Sequence, residues 1–99
     1  MAKSSPDRPL RPATLLVRGG QMRSGFDETA EAMFLTSGFV YDSAAQAEAT
    51  FAGTEVHYQY SRFGNPTVAM LEQRIAALEG AEACRCTATG MAAVHAALF

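Results

Sequence analysis

Between Asn65 and Gly80 the chain can be little other than a helix. Asn65 offers a side-chain oxygen to the free amides of a first helical turn, and Pro66 at the first helical position gives up no hydrogen bond that the helix needs. Val68, Leu71, Ile75 and Leu78 then recur at steps of three and four, drawing one apolar stripe along a rod of about 21 Å before Gly80 closes it. That stripe is expected to be a packed core face. Glu82 to Thr87 alternates as a short strand would, and Thr87-Ala88-Thr89-Gly90 turns the chain into a second apolar helix from Met91. Helix, strand and helix, with a turn at the strand's C-terminal end, is the opening unit of a layered α/β fold.

The remainder is less regular. Residues 1–12 hold three of the four prolines and no apolar period, and read as a flexible arm. Thr14-Leu-Leu-Val-Arg reads as one or two helical turns stopped by Gly19 and Gly20, and Gln21 to Glu28 as a polar loop. Ala32 to Tyr41 is β-branched and aromatic but split by Gly38, which makes it extended. Asp42-Ser43 supplies caps for an alanine-rich helix from Ala44 to Phe51 that Gly53 ends, and Thr54 to Gly64 is loop. The expected organisation is therefore an arm (1–12), a connecting segment (13–64) and the start of an α/β domain (65–99). Met91, Val94, Ala97 and Leu98 find nothing in the sequence to pack against and the last helix has no C-cap, so the domain is expected to be cut short at Phe99.

Charge and composition exclude several functions. Eight basic against ten acidic side chains, a net charge of −2, give no cationic surface for nucleic acid. The longest apolar stretches, such as Met91 to Phe99, fall short of the roughly 20 residues of a membrane span, and the polar, Pro-broken N-terminus is no secretory signal. A cytoplasmic location follows as the expectation. Cys84 and Cys86 sit two apart, poorly placed for an ordinary disulfide, and read as buried thiols; with His57 and His95 the only histidines, no metal site is expected. Seven arginines leave one lysine, Lys3, in the arm, so chemistry that depends on a buried lysine is beyond these residues alone.

Two constellations could carry chemistry. The turn Thr87-Ala88-Thr89-Gly90-Met91 opens a helix, where unpaired amides and the positive dipole end favour an anion; Thr89 adds a hydroxyl and Gly90 permits close approach. Plain capping is the alternative. In Tyr60-Ser61-Arg62-Phe63-Gly64-Asn65-Pro66-Thr67, the planar fork of Arg62 can grip a phosphate, and Tyr60 can point its hydroxyl at the same anion if the segment is extended. The alternative there is a loop with one surface salt bridge and one packed ring.

Tyr60-Ser61-Arg62 with Asn65-Pro66-Thr67, then Leu78-Glu79-Gly80-Ala81-Glu82, then Thr89-Gly90-Met91-Ala92-Ala93, together resemble the start of the cystathionine γ-synthase-like pyridoxal-phosphate enzymes of cysteine and methionine metabolism. Within that family, Thr14-Leu-Leu-Val-Arg-Gly-Gly, Phe34-Leu-Thr-Ser and Ala44-Ala-Gln-Ala-Glu-Ala-Thr-Phe-Ala-Gly are most similar to O-succinylhomoserine sulfhydrylases. The resemblance implies a fold-type I transferase (α/β/α) of which only the N-terminal arm and the start of the cofactor domain are present, with 13–64 an interface segment. It implies pyridoxal 5'-phosphate as cofactor, held across a subunit interface by Tyr60 and Arg62 and within the same subunit by Gly90 and Met91. Thr89 stands where many members have serine. The implied reaction replaces the succinyl group of O-succinylhomoserine with sulfide to give homocysteine, in a homo-oligomer, a dimer of dimers. The family's cofactor-bonding lysine has no counterpart here, so the 99 residues by themselves are expected to be inactive. O-acetylhomoserine sulfhydrylase, cystathionine γ-synthase and methionine γ-lyase are alternatives within the family, and a non-catalytic fragment or interaction module is the alternative outside it.

Overall fold

The computed structural model describes residues 9–99. Four helices follow one another: α1 (Pro12–Arg18), α2 (Ala44–Ala52), α3 (Pro66–Glu79) and α4 (Gly90–Leu98). Lys3 and most of the expected arm lie outside the described residues, and Pro12, the last residue assigned to that arm, is instead the first of α1. The described chain forms two compact units, one of the residues through Met22 together with Met70–Phe99, the other of Arg23–Ala69.

In the first unit the end of α1 is fastened to α3. The Arg74 Nε donates to the Gly19 carbonyl at 2.8 Å. Gly20 adopts φ +70°, and a Cβ there would stand 2.7 Å from the Gln73 Cβ and 3.0 Å from the Met70 carbonyl oxygen. Only glycine meets both demands, a left-handed backbone and a bare α-carbon pressed on a helix. Met70, 1% exposed, lies on this face. The apolar stripe expected to be core is elsewhere: Val68, Leu71 and Ile75 are exposed, because the 19–20 turn covers the Met70–Arg74 side of the helix instead.

The strand expected over Glu82 to Thr87 is absent, and no ladder runs through it. A strand exists only by pairing, and among the described residues this segment is tethered by a side chain: the Cys86 N–H donates to the Glu72 carboxylate at 2.8 Å. Cys84 and Cys86, expected to be buried, are free thiols and half-buried. Burial and the neighbouring Cys84, with a smaller push from Glu72, raise the Cys86 thiol above its ordinary range, which disfavours the reactive thiolate. Helix α4 follows, exposed along its length.

The second unit is built from extended chain, α2 and the start of α3. Its one bridge pairs Gly38 with Tyr60, antiparallel, so the predicted extended 32–41 segment pairs at a single point. Ring contacts continue the same association, Phe39 with Tyr58 at 5.4 Å and Tyr41 with His57 at 4.8 Å. The α2 helix starts as predicted: the Ser43 hydroxyl accepts from the Gln46 N–H at 3.1 Å while the Gln46 side chain accepts from the Asp42 N–H at 2.6 Å. Gly53 ends it at φ 80° as predicted, and the last helical residue is Ala52, one beyond the expected Phe51.

Candidate functional site

Tyr60 and Arg62 belong to the second unit, in the 54–64 segment read as loop, and the part carrying them is a turn, not the extended chain on which the shared grip of Tyr60 was conditional. The Phe63 and Gly64 N–H groups both donate to the Tyr60 carbonyl, at 2.9 and 3.1 Å. That curl brings side chains two residues apart to one side. The Arg62 guanidinium carbon lies 5.5 Å from the centre of the Tyr60 ring and 5.3 Å from that of Phe63, and the two rings meet edge to face. Ring faces attract a cation without using its N–H donors. No carboxylate pairs with Arg62 among the described residues, so the surface salt bridge that sequence alone allowed is not formed; the packed rings are. A planar guanidinium held in place with its donors uncommitted suits a multiply charged oxyanion that can take two parallel N–H bonds.

Thr89, Gly90 and Met91 belong to the first unit. Thr89 caps α4, the alternative that the sequence left open beside an anion site: its hydroxyl oxygen accepts from the Ala92 N–H at 3.0 Å, and the Thr87 hydroxyl fixes the Thr89 carbonyl at 2.7 Å. Capping uses the oxygen as acceptor and leaves the hydroxyl proton to donate. Gly90 and Met91 occupy the first two helical positions, whose amides have no acceptor within a helix. A Cβ on Gly90 would meet nothing within 4 Å, so no packing of the described residues demands glycine there; its effect is to leave the amides bare.

Asn65, Ser61 and Thr67 make bonds around the Tyr60–Arg62 turn that the sequence reading did not anticipate. Asn65 does cap α3 as predicted, its Oδ1 accepting from the Thr67 N–H at 2.9 Å. It also donates through Nδ2 to the Phe34 carbonyl at 2.8 Å and to the Ser61 hydroxyl at 3.0 Å. Ser61 in turn donates to the Thr36 carbonyl. The Thr67 hydroxyl accepts from the Phe34 N–H and donates to the Ala32 carbonyl, at 2.9 and 3.0 Å. The available signal was the amide end of Asn65, two donors that capping leaves over.

An open cleft of about 580 Å³ lies in the second unit, lined by Val56, His57, Tyr58, Gln59, Phe63 and Gly64. No arginine or lysine is in that lining, and Tyr60 and Arg62 stand outside it.

Comparison with known proteins gives this arrangement a context. The family model for Cys/Met metabolism PLP-dependent enzymes matches residues 13–99. The chain is 59% identical over 96 residues to an O-succinylhomoserine sulfhydrylase of Mycobacterium tuberculosis, covering 97% of this chain and 23% of that protein. It is 53% identical over 83 residues to an O-succinylhomoserine sulfhydrylase of Pseudomonas aeruginosa, covering 84% and 21%. Among solved structures it is similar to one described as an O-acetylhomoserine (thiol)-lyase from Campylobacter jejuni with a pyridoxyl-lysine monophosphate, at TM-score 0.84 and 30% identity over 91% of this chain and 22% of that one. The chain thus spans under a quarter of the length of the relatives it matches. The fold it shares with them is the N-terminal part of a fold-type I pyridoxal-phosphate enzyme, in which the missing 82–87 ladder is a local departure from the expected elements.

Proposed function

The chain belongs to the Cys/Met metabolism PLP-dependent enzymes, and from that premise we propose that it supplies the phosphate-holding part of an O-succinylhomoserine sulfhydrylase. The observation that carries the site is Arg62, resting on two rings and paired with no carboxylate among the described residues. A cofactor phosphate monoester fits this donor set, being dianionic and able to take two parallel bonds from one guanidinium. Tyr60 and Arg62 would hold the phosphate of a neighbouring subunit's cofactor. Thr89, through its hydroxyl proton, and the Gly90 and Met91 amides would hold that of their own subunit.

Bound pyridoxal phosphate supplies an electron sink for chemistry at an amino-acid substrate. The residues here bind and orient. Charge-assisted bonds from Arg62 and the dipole end of α4 fix the phosphate, and with it the direction in which the ring presents itself. The proposed reaction joins O-succinylhomoserine and sulfide, giving homocysteine and succinate. What favours it is the identity of 59% and 53% to two sulfhydrylases named for that substrate, against 30% to the thiol-lyase structure. Sharing of the phosphate implies at least a homodimer, and we take the assembly to be a dimer of dimers. No helix of the described residues is long and apolar enough to cross a membrane, and the cytoplasm is the compartment we propose.

The test supplies the complete gene product with pyridoxal phosphate, O-succinylhomoserine and sulfide, and measures homocysteine. Sulfide-dependent homocysteine formation is expected. Turnover of methionine to methanethiol without homocysteine formation would overturn the choice of reaction.

A further inference from the structure

We propose that Asn65 is a positioning residue for the anion grip of Tyr60 and Arg62, its carboxamide bolting the turn that carries them to the 34–37 segment and to the start of α3. The proposal rests on Arg62 being a phosphate ligand and says what aims it. Asn65 is 7% exposed, and its whole carboxamide is engaged: two donated bonds, to the Phe34 carbonyl and the Ser61 hydroxyl, and one accepted from the Thr67 N–H. Ser61 lies between Tyr60 and Arg62 in sequence. It is held twice more, by its own hydroxyl on the Thr36 carbonyl and by its N–H on the Ser37 carbonyl at 2.8 Å. The turn is thus pinned at its centre from three directions, while among the described residues the Arg62 side chain makes ring contacts alone.

Capping alone does not call for this residue. Aspartate or serine caps a helix as well as asparagine does. Only a carboxamide puts one acceptor and two donors on a single branch point, and here each reaches a different stretch of chain. Arg62 meets an anion from an exposed position with no acceptor among the described residues to steer it, so the direction of its fork is inherited from the backbone of the turn. A fork displaced by about an ångström keeps its charge but loses its second parallel bond, and misplacement of that size is costly wherever geometry matters.

The experiment is a double-mutant cycle in the complete gene product, reading the dissociation constant for pyridoxal phosphate by equilibrium dialysis and the melting temperature of the same samples. Asn65→Asp keeps the cap and removes both donors. It is expected to weaken cofactor binding about tenfold when Arg62 is present and less than twofold when Arg62 is already alanine, because two residues that act as one unit do not add. Its effect on melting should be the same in both backgrounds. Ser43→Ala, which removes the cap of α2 without touching the turn or its anchors, should lower the melting temperature and leave the dissociation constant within about twofold. If Asn65→Asp does not fold, Ser61→Ala removes two of the three pins, the hydroxyl's bonds with Asn65 and Thr36, and should show the same dependence on Arg62. An Asn65→Asp effect on affinity that is absent, or equal in both backgrounds, overturns the positioning role while the Arg62 reading stands. Unchanged affinity in Arg62→Ala itself overturns the reading beneath it.

Discussion

Replacing Arg62 by alanine should loosen pyridoxal phosphate by about 1.5–3 kcal/mol, roughly ten- to over a hundredfold in the dissociation constant. The geometry sets where in that range the value falls. Among the described residues Arg62 has no carboxylate to abandon when it engages an anion, so no ion pair seen there offsets its bonds to phosphate, and its two ring contacts can persist while the donors are used. Both considerations point to the upper half. Arg62→Lys keeps the charge but not the fork and should recover only part of the loss. The alanine variant should fold almost as well as the parent, since an exposed cation resting on rings contributes only about 0.5–1 kcal/mol. Equilibrium dialysis at physiological ionic strength measures the first quantity and thermal melting the second. Subunit exchange then tests which copy Arg62 serves. Arg62→Ala and Gly90→Asp each damage one half of the phosphate site; if the halves come from different subunits, a mixed dimer carries both defects in one site and leaves its other site intact. Recovery of cofactor binding on mixing is expected. A loss under twofold in Arg62→Ala would refute the phosphate assignment, and no recovery despite proven exchange would refute the shared site.

Gly20→Ala should cost on the order of 2–3 kcal/mol in chemical denaturation of the complete gene product, combining a left-handed backbone at φ +70° with a Cβ 2.7 Å from that of Gln73; a midpoint unchanged from the parent would show that the 19–20 turn does not rest on α3 as described. Thr89→Ala should remove about 1 kcal/mol of helix capping and also weaken cofactor binding, while Thr89→Ser preserves both; loss of stability with unaltered affinity would reduce Thr89 to a cap. Glu28 should titrate below the ordinary glutamate range, chiefly because the Ser24 hydroxyl and then the Ser24 N–H donate to its carboxylate, each at 2.7 Å. A carboxyl whose folded value is lowered stabilises the fold above its unfolded value, and that contribution fades as pH falls through the lowered one. Carboxyl NMR titration should therefore show Ser24→Ala returning Glu28 upward, and an unmoved value would disprove the cause.

What could be read from the sequence, and what could not, divides by distance along the chain. Ser43, Asn65 and Thr89 were recognisable as caps because each bonds an amide two or three residues ahead, a relation that residue type and spacing express directly. Gly53 as a stop belongs to the same class. The 82–87 segment alternates as a strand does, but alternation states a capacity to pair and names no partner, and among the described residues none pairs with it. The stripe of Val68, Leu71 and Ile75 likewise states that α3 has an apolar face and is silent about what covers it; the covered face was instead selected by Gly20, whose bare α-carbon allows contact at Met70 and Gln73. The second occupation of Asn65 was hidden for the same reason, since its acceptor at Phe34 is 31 residues upstream. For the site, residue types disclosed that Arg62 could grip an anion, whereas the absence of a competing carboxylate and the flanking rings required coordinates.

The same division separates the two proposed halves of the phosphate site by what aims them. Thr89, Gly90 and Met91 are oriented by the first turn of the helix they begin, so their donors point correctly wherever α4 forms. Tyr60 and Arg62 are oriented by hydrogen bonds that return from Phe34, Thr36 and Ser37. Substitutions in 34–37 should therefore weaken cofactor binding through the turn, whereas substitutions on the far turns of α4 should act on stability alone. Proline at position 37 sharpens the contrast. Its carbonyl can still accept from Ser61, but fixing its φ near −65° in extended chain beside the Gly38–Tyr60 bridge shifts the point from which the turn hangs. The affinity lost by Ser37→Pro should disappear when Arg62 is already alanine; an equal loss in both backgrounds would mean that the 34–37 segment acts on the cofactor by a route other than the arginine.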